Sequence, residues 1–449
     1  MAVLGYFMSG FGAFAAGDGS GTNNQNLLRG TFGTDCTEPL ICGSYFTDGE
    51  YGEQASNQSQ SDQLELMPEV GIVPLGNVLP TYSANVLPPA TQVDWSVSLR
   101  GAYQKDTDGE RFEVLVAPNV AISHRASAAE YSASLGAEIV RQNDNIYRLT
   151  NGALDFDAQY AVDNVTGARL SANLTIDQAS PNDPGLASNV ATAPIVGSGS
   201  AQIAILRRFG MLDVELRGNA EREIYSTTGL KNGTWQDNSE RNRTGLGFGL
   251  QTIHELTGFV DGFADISAAR DIYDRDSIGL GTSQNSWTLS ARAGLRGNWS
   301  EVVEAEISVG YGLRKFDSAL LSDVPMALAD ASFTYRPDET LELVAQFGTN
   351  ITSPDPVTSA STMIEYEASG SARYVINEWL ATRANISGRW ARFAGSAQTE
   401  QEYSAGVGAD YEMNAHTKFT TDYSYGISEI TPNPVEHSHR VEVGVTYSR

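Results

Sequence analysis

His437 and His439, one residue apart near the C-terminus, have the best spacing for holding a metal, because alternate residues of a strand share a face. His124, His254 and His416 stand far from one another, and none lies in a His-Glu-x-x-His helix or beside a Gly-x-Ser-x-Gly elbow. No cysteine lies near the histidine pair, so it reads as two solvated imidazoles at a loop edge and not as a metal site. Asp271, Asp274 and Asp276, with Asp265 nearby, could offer oxygens to a divalent cation, yet their spacing fits no EF-hand and reads as a solvated acidic loop. No nucleophile and base can be assembled into a pair. The expectation is therefore no enzyme, no cofactor and no metal. Cys36 and Cys42 enclose Thr-Glu-Pro-Leu-Ile, a loop that closes as a disulfide in an oxidising compartment and otherwise leaves two thiols.

The chemistry this chain does offer is electrostatic. Arg100, Arg169, Arg217, Arg292, Arg296, Arg314, Arg373, Arg383, Arg389 and Arg440 fall on one face of alternating segments. Asp94, Glu215, Asp265, Glu304, Glu306, Glu342, Glu365, Glu367, Asp422 and Glu442 share that face with them. Opposed charges along a pore set a transverse field and tune which ions pass, and the same pairs brace a water-filled wall.

The elements that position these charges are strands. Val303, Ala305, Ile307, Val309, Tyr311 and Leu313 alternate with Glu304, Glu306, Ser308 and Arg314, and Val441, Val443, Val445 and Tyr447 alternate with Arg440, Glu442, Gly444 and Thr446. The pattern recurs about every 20 residues from Val93 onward, in runs of about 10–15 residues, longer than soluble strands and matched to a tilted membrane crossing. Tight connections such as Asp163-Asn164-Val165-Thr166 and Asn414-Ala415-His416 alternate with long polar ones such as 178–196, 227–241, 273–285 and 394–400, the last ending on the loop acid Glu400. The reading is all-β: a transmembrane up-and-down antiparallel β-barrel of about 18 strands, with 16 as the alternative, over residues 93–449.

Composition agrees with that class. Hydrophobic residues are 41% and mean hydropathy is −0.26, so a helical membrane protein is excluded while a barrel, apolar only at alternate positions, is not. Trp95, Trp287, Trp299, Trp379 and Trp390 sit near strand ends, which suits aromatic girdles. The net charge of −26 excludes a nucleic-acid binder. Residues 1–16 read either as a signal remnant or as a mature segment. Residues 17–92, rich in Gly, Asn, Gln, Ser and then Pro, read as an irregular segment, periplasmic or folded into the lumen as a partial plug.

Strand pairs such as Leu289-Ser290-Ala291-Arg292-Ala293-Gly294-Leu295-Arg296 with Ala305-Glu306-Ile307-Ser308-Val309-Gly310-Tyr311 resemble the putative β-barrel porin 2 family. So do Ser332 to Leu341 and Tyr403 to Ala409. The resemblance implies an outer-membrane pore of a Gram-negative bacterium, with some relatives accompanying exopolysaccharide export. Family barrels usually end on an aromatic, and this chain departs from them in ending Tyr447-Ser448-Arg449. The expected function is a porin-like channel for small hydrophilic solutes or saccharide. The alternative is a non-conducting anchoring or partner-binding barrel of the cell envelope. Expected partners are outer-membrane lipid and lipopolysaccharide, with a homo-oligomer and polysaccharide as further candidates.

Overall fold

The computed structural model describes residues 90–107, 109–142, 147–178, 190–299, 302–352, 360–431 and 435–449. The expected signal remnant, the N-terminal segment up to residue 89 and the Cys36–Cys42 pair lie outside them. Eighteen long strands follow one another in chain order, from Ala90–Asp106 to Glu436–Ser448, each antiparallel to its neighbours. The first strand pairs with both the second and the last, with Leu99 opposite Val445 and Asp106 opposite Ser438. The ring is therefore closed, and closure removes the free edges that an open sheet would expose. Of the two expected strand counts, the larger one holds. Among the described residues no helix is long and apolar enough to cross a membrane, which says nothing of strands.

Connection length sorts by parity. On one side the chain turns at 126–128, 162–165, 210–211, 258–259, 339–340, 378–379 and 415–416; Gly210, with φ of 69°, supplies the left-handed residue of its two-residue turn. The other side carries 179–194, 226–242, 274–285 and 317–323, and within them the short strands Val190–Thr192, Thr228–Leu230 and Trp235–Gln236 pair into a separate small sheet. The first two connections on this side, 107–108 and 142–146, are short.

Each strand turns one apolar face outward. On Val303–Phe316, Ile307, Val309 and Tyr311 are exposed on the outside, while Glu306, Ser308 and Arg314 are buried inside. Aromatic pairs ring the two ends of the outer face: Trp95–Tyr447, Phe259–Trp299 and Trp379–Tyr411 at the short-turn end, Trp390–Tyr403 at the other. Trp287 and Trp299 stand at opposite ends of one strand. Their separation along a strand tilted by about 40° corresponds to a band roughly 30 Å tall, the thickness of a bilayer's hydrocarbon core.

One strand pair separates before its end. Between Val324–Asp338 and Leu341–Thr352 the ladder runs only as far as Ala331 opposite Phe347. Beyond that point the Thr349 hydroxyl takes over, accepting from the Ala329 N–H and donating to the Ala329 carbonyl. Ile351 then joins Phe316, Val324, Met326 and Leu328 in an apolar cluster, and Arg314 donates to the Thr352 carbonyl. Pro325, which cannot donate to a ladder, lies in the released stretch, where no donor is required.

Candidate functional site

Strand register places all twenty sequence-predicted charges on the inner face. Most of them meet. At the seam, Arg100 of the first strand bridges Glu138 at 2.6 Å and Glu442 of the last strand at 3.0 Å. Arg440 joins Glu442 to Glu113 at 3.0 and 2.8 Å, and the Ser98 and Thr446 hydroxyls lie 2.8 Å apart. Glycine makes this close wall feasible: a Cβ at Gly444 would fall 2.6 Å from Arg100 Cγ, and one at Gly249 would fall 3.2 Å from Arg217 Nε. Long arginine side chains can therefore lie flat across the neighbouring strand.

The other clusters follow round the ring. Arg217 contacts Asp265 and approaches Glu215 at 3.8 Å. Arg292 pairs with Asp330 at 3.1 Å and Arg296 with Glu306 at 2.5 Å. Arg314 reaches Asp271 at 3.1 Å, and Arg243 reaches the same carboxylate at 3.1 Å and Glu221 at 2.9 Å. Arg383 lies 3.0 Å from both Asp410 and Asp422. Arg389 sits among four carboxylates, touching Glu365 and lying 3.9, 3.5 and 3.7 Å from Glu367, Glu400 and Glu402. Nearer the short turns, Arg169 meets Asp157 at 2.9 Å and Glu342 meets Arg336 at 2.7 Å. Asp94 accepts from Gln92, while Glu304 is half-buried on the inner face. Arg373 is exposed on the inner face and has no ion pair among the described residues.

Several inward charges were missed or misplaced by sequence reading. Asp271 and Glu400 read as loop acids, yet both lie in strands, buried against Arg243, Arg314 and Arg389. Strand length is the reason: the strands run further toward the rim than the apolar alternation does. Glu113, Glu130, Glu138, Asp155, Asp157, Asp177, Asp213, Glu221, Glu223, Asp261, Asp330, Glu402 and Asp410 also face inward, outnumbering the added Arg111, Arg125, Arg148, Arg208, Arg243, Arg336 and Lys418. The inner wall is therefore acidic overall, not balanced as the sequence-predicted set alone implies.

The remaining candidates disperse. His437 and His439 point outward, their Nδ1 atoms 2.9 Å from the Tyr425 and Tyr423 hydroxyls. Asp274 leaves Asp271 for Arg222 at 2.6 Å. Among the described residues, no group of three or more His, Cys, Asp or Glu is placed to hold a metal ion.

Loop carboxylates on the long-loop side are tied down by hydrogen bonds. The Arg222 guanidinium holds Asp274 below the usual carboxylate range, and Arg270 does the same to Asp317. The Ser239 N–H, and after it Arg275, lowers Asp237. A depressed carboxylate contributes its tether above its ordinary pKa, here 3.8, and loses it as pH falls through the lower folded value. Hydrogen exchange in loop 274–285, corrected for intrinsic rate, is expected to stay flat from pH 7 to 5 and to rise only below about pH 4. A rise already at pH 6 would mean that these ties do not hold the loop.

Residues 103–449 match the family described as putative beta-barrel porin 2. No curated protein matches the chain. Among solved structures it is similar to OccK5 (OpdH) of Pseudomonas aeruginosa, with 10% identity, a TM-score of 0.40, and coverage of 80% of this chain and 98% of that one. OpdK of Pseudomonas aeruginosa with vanillate gives 9% identity, a TM-score of 0.41, and coverage of 80% and 99%. The FrpB iron transporter from Neisseria meningitidis (F5-1 variant) gives 8%, a TM-score of 0.42, and coverage of 79% and 82%.

Proposed function

We infer, for a chain that belongs to the putative β-barrel porin 2 family, a passive channel of a Gram-negative outer membrane that passes small hydrophilic solutes or saccharide. The observation that carries this reading is the inner wall. An apolar outer face and an inner face of paired arginines and carboxylates suit a water-filled interior, and about 16–18 strands make a bore wider than side chains fill.

Planar-bilayer recording tests this. Discrete conductance steps are expected, with silence from a folded, heat-modifiable barrel as the opposing result. The surplus of inward acids should make the steps cation-selective at low salt. The part of that preference due to exposed loop acids should fade toward 1 M salt, where screening reaches only about 3 Å, while the part due to the wall should persist. Anion selectivity at low salt would mean that Arg373 and its inward neighbours outweigh the acids.

A further inference from the structure

The outer face inverts the charge of the whole protein. Net charge is −26, yet the only acids at outward strand positions among the described residues are Glu110 and Glu429. Seven outward positions carry Lys or Arg, and six of them, Lys105, Arg141, Arg222, Arg270, Lys315 and Arg392, stand at the long-loop ends of their strands; only Arg207 stands at the other end. Three of these cations also sit beside girdle tryptophans. Arg270, Trp287 and Lys315 are register partners on three successive strands, with the Arg270 guanidinium 5.4 Å above the Trp287 ring. Arg392 lies two residues from Trp390 on the same face. Lys105 is joined to Glu110, Arg222 to Asp274 and Arg270 to Asp317, whereas Lys315 and Arg392 have no ion pair among the described residues.

We propose that this rim binds the phosphates of membrane-lipid headgroups in the leaflet on the long-loop side. Girdle tryptophans mark the depth at which headgroups begin, and a cation held beside them faces lipid phosphate, not hydrocarbon or bulk water. Both outward acids, Glu110 and Glu429, stand on this same rim, but six cations outnumber them, so its outward strand positions are net basic on an acidic protein. The asymmetry between the two ends matches a membrane whose leaflets differ in phosphate density, and it favours one orientation of the barrel. This inference does not depend on whether the barrel conducts.

The test uses the full folded chain in neutral detergent, titrated with a bisphosphorylated lipid A and separately with phosphatidylcholine, retention being read by native mass spectrometry. The intact protein should retain lipid A preferentially. A Lys315→Gln, Arg392→Gln double variant should lose that preference by about tenfold, and Arg207→Gln should not. If the double variant folds poorly, Lys315→Arg with Arg392→Lys should restore both folding and retention. Equal retention of the two lipids would overturn the proposal. So would equal loss from Arg207→Gln, or displacement of lipid A by inorganic phosphate at the same concentration, which would indicate a free-anion site.

Discussion

Replacing Arg389 with methionine is expected to lower the unfolding free energy of the barrel by about 3–5 kcal/mol, the usual cost of removing one side of a buried ion cluster. Arg389 lies on Leu380–Ala394, with Glu365 and Glu367 on the strand before it and Glu400 and Glu402 on the strand after. It is buried, as are Glu365, Glu400 and Glu402. Methionine keeps much of the volume but leaves the carboxylates facing one another with nothing between them. Adding Glu365→Gln and Glu402→Gln to that variant should recover part of the loss, because the penalty comes mainly from the stranded acids. Urea titration of the barrel refolded in lipid vesicles measures both effects. A loss below about 1 kcal/mol would place the cluster with water-exposed pairs, which contribute little.

Ile307→Arg is expected to cost about 2–4 kcal/mol in the same assay. Ile307 is 58% exposed on the outer face, near the middle of its strand and between the two aromatic rings. A guanidinium at that depth has no partner and must reach for a headgroup region about 15 Å away. The neighbouring inward residue makes a poor control. Ser308 is only 4% exposed and donates to Asp330, so an arginine there would break an existing contact. Ser371, inward and exposed, is the fair comparison, and Ser371→Arg should cost less than about 1 kcal/mol. Equal costs at Ile307 and Ser371 would remove the distinction between the outer and inner faces.

How much of this was legible in the sequence follows from which quantities are local. The side of each strand residue was readable, because a two-residue period assigns Ile307 and Glu306 to opposite faces wherever the strand lies. The strand count and the sorting of turns by length were readable too, since turn residues and apolar runs are local signals. Pairing was not. Arg100 meets Glu442 across 342 positions of sequence, a contact that exists only because the first strand closes against the last. The four carboxylates around Arg389 converge because the register sets three strands side by side, which no single strand encodes. Asp271 and Glu400 were misread as loop acids because the strands continue past the bilayer band, where no lipid enforces an apolar outer position and the alternation fades. The parting of Leu341–Thr352 from the strand before it, with Thr349 standing in for a backbone partner, also left no periodic trace, because its alternation is that of an ordinary strand. Within the bilayer band the sequence alone determined which residues face lipid and which face inward, because there the choice depends only on local alternation. Which charges meet, and how acidic the inner wall is, were decided by closure and register, which bring distant strands to within a few ångströms of one another.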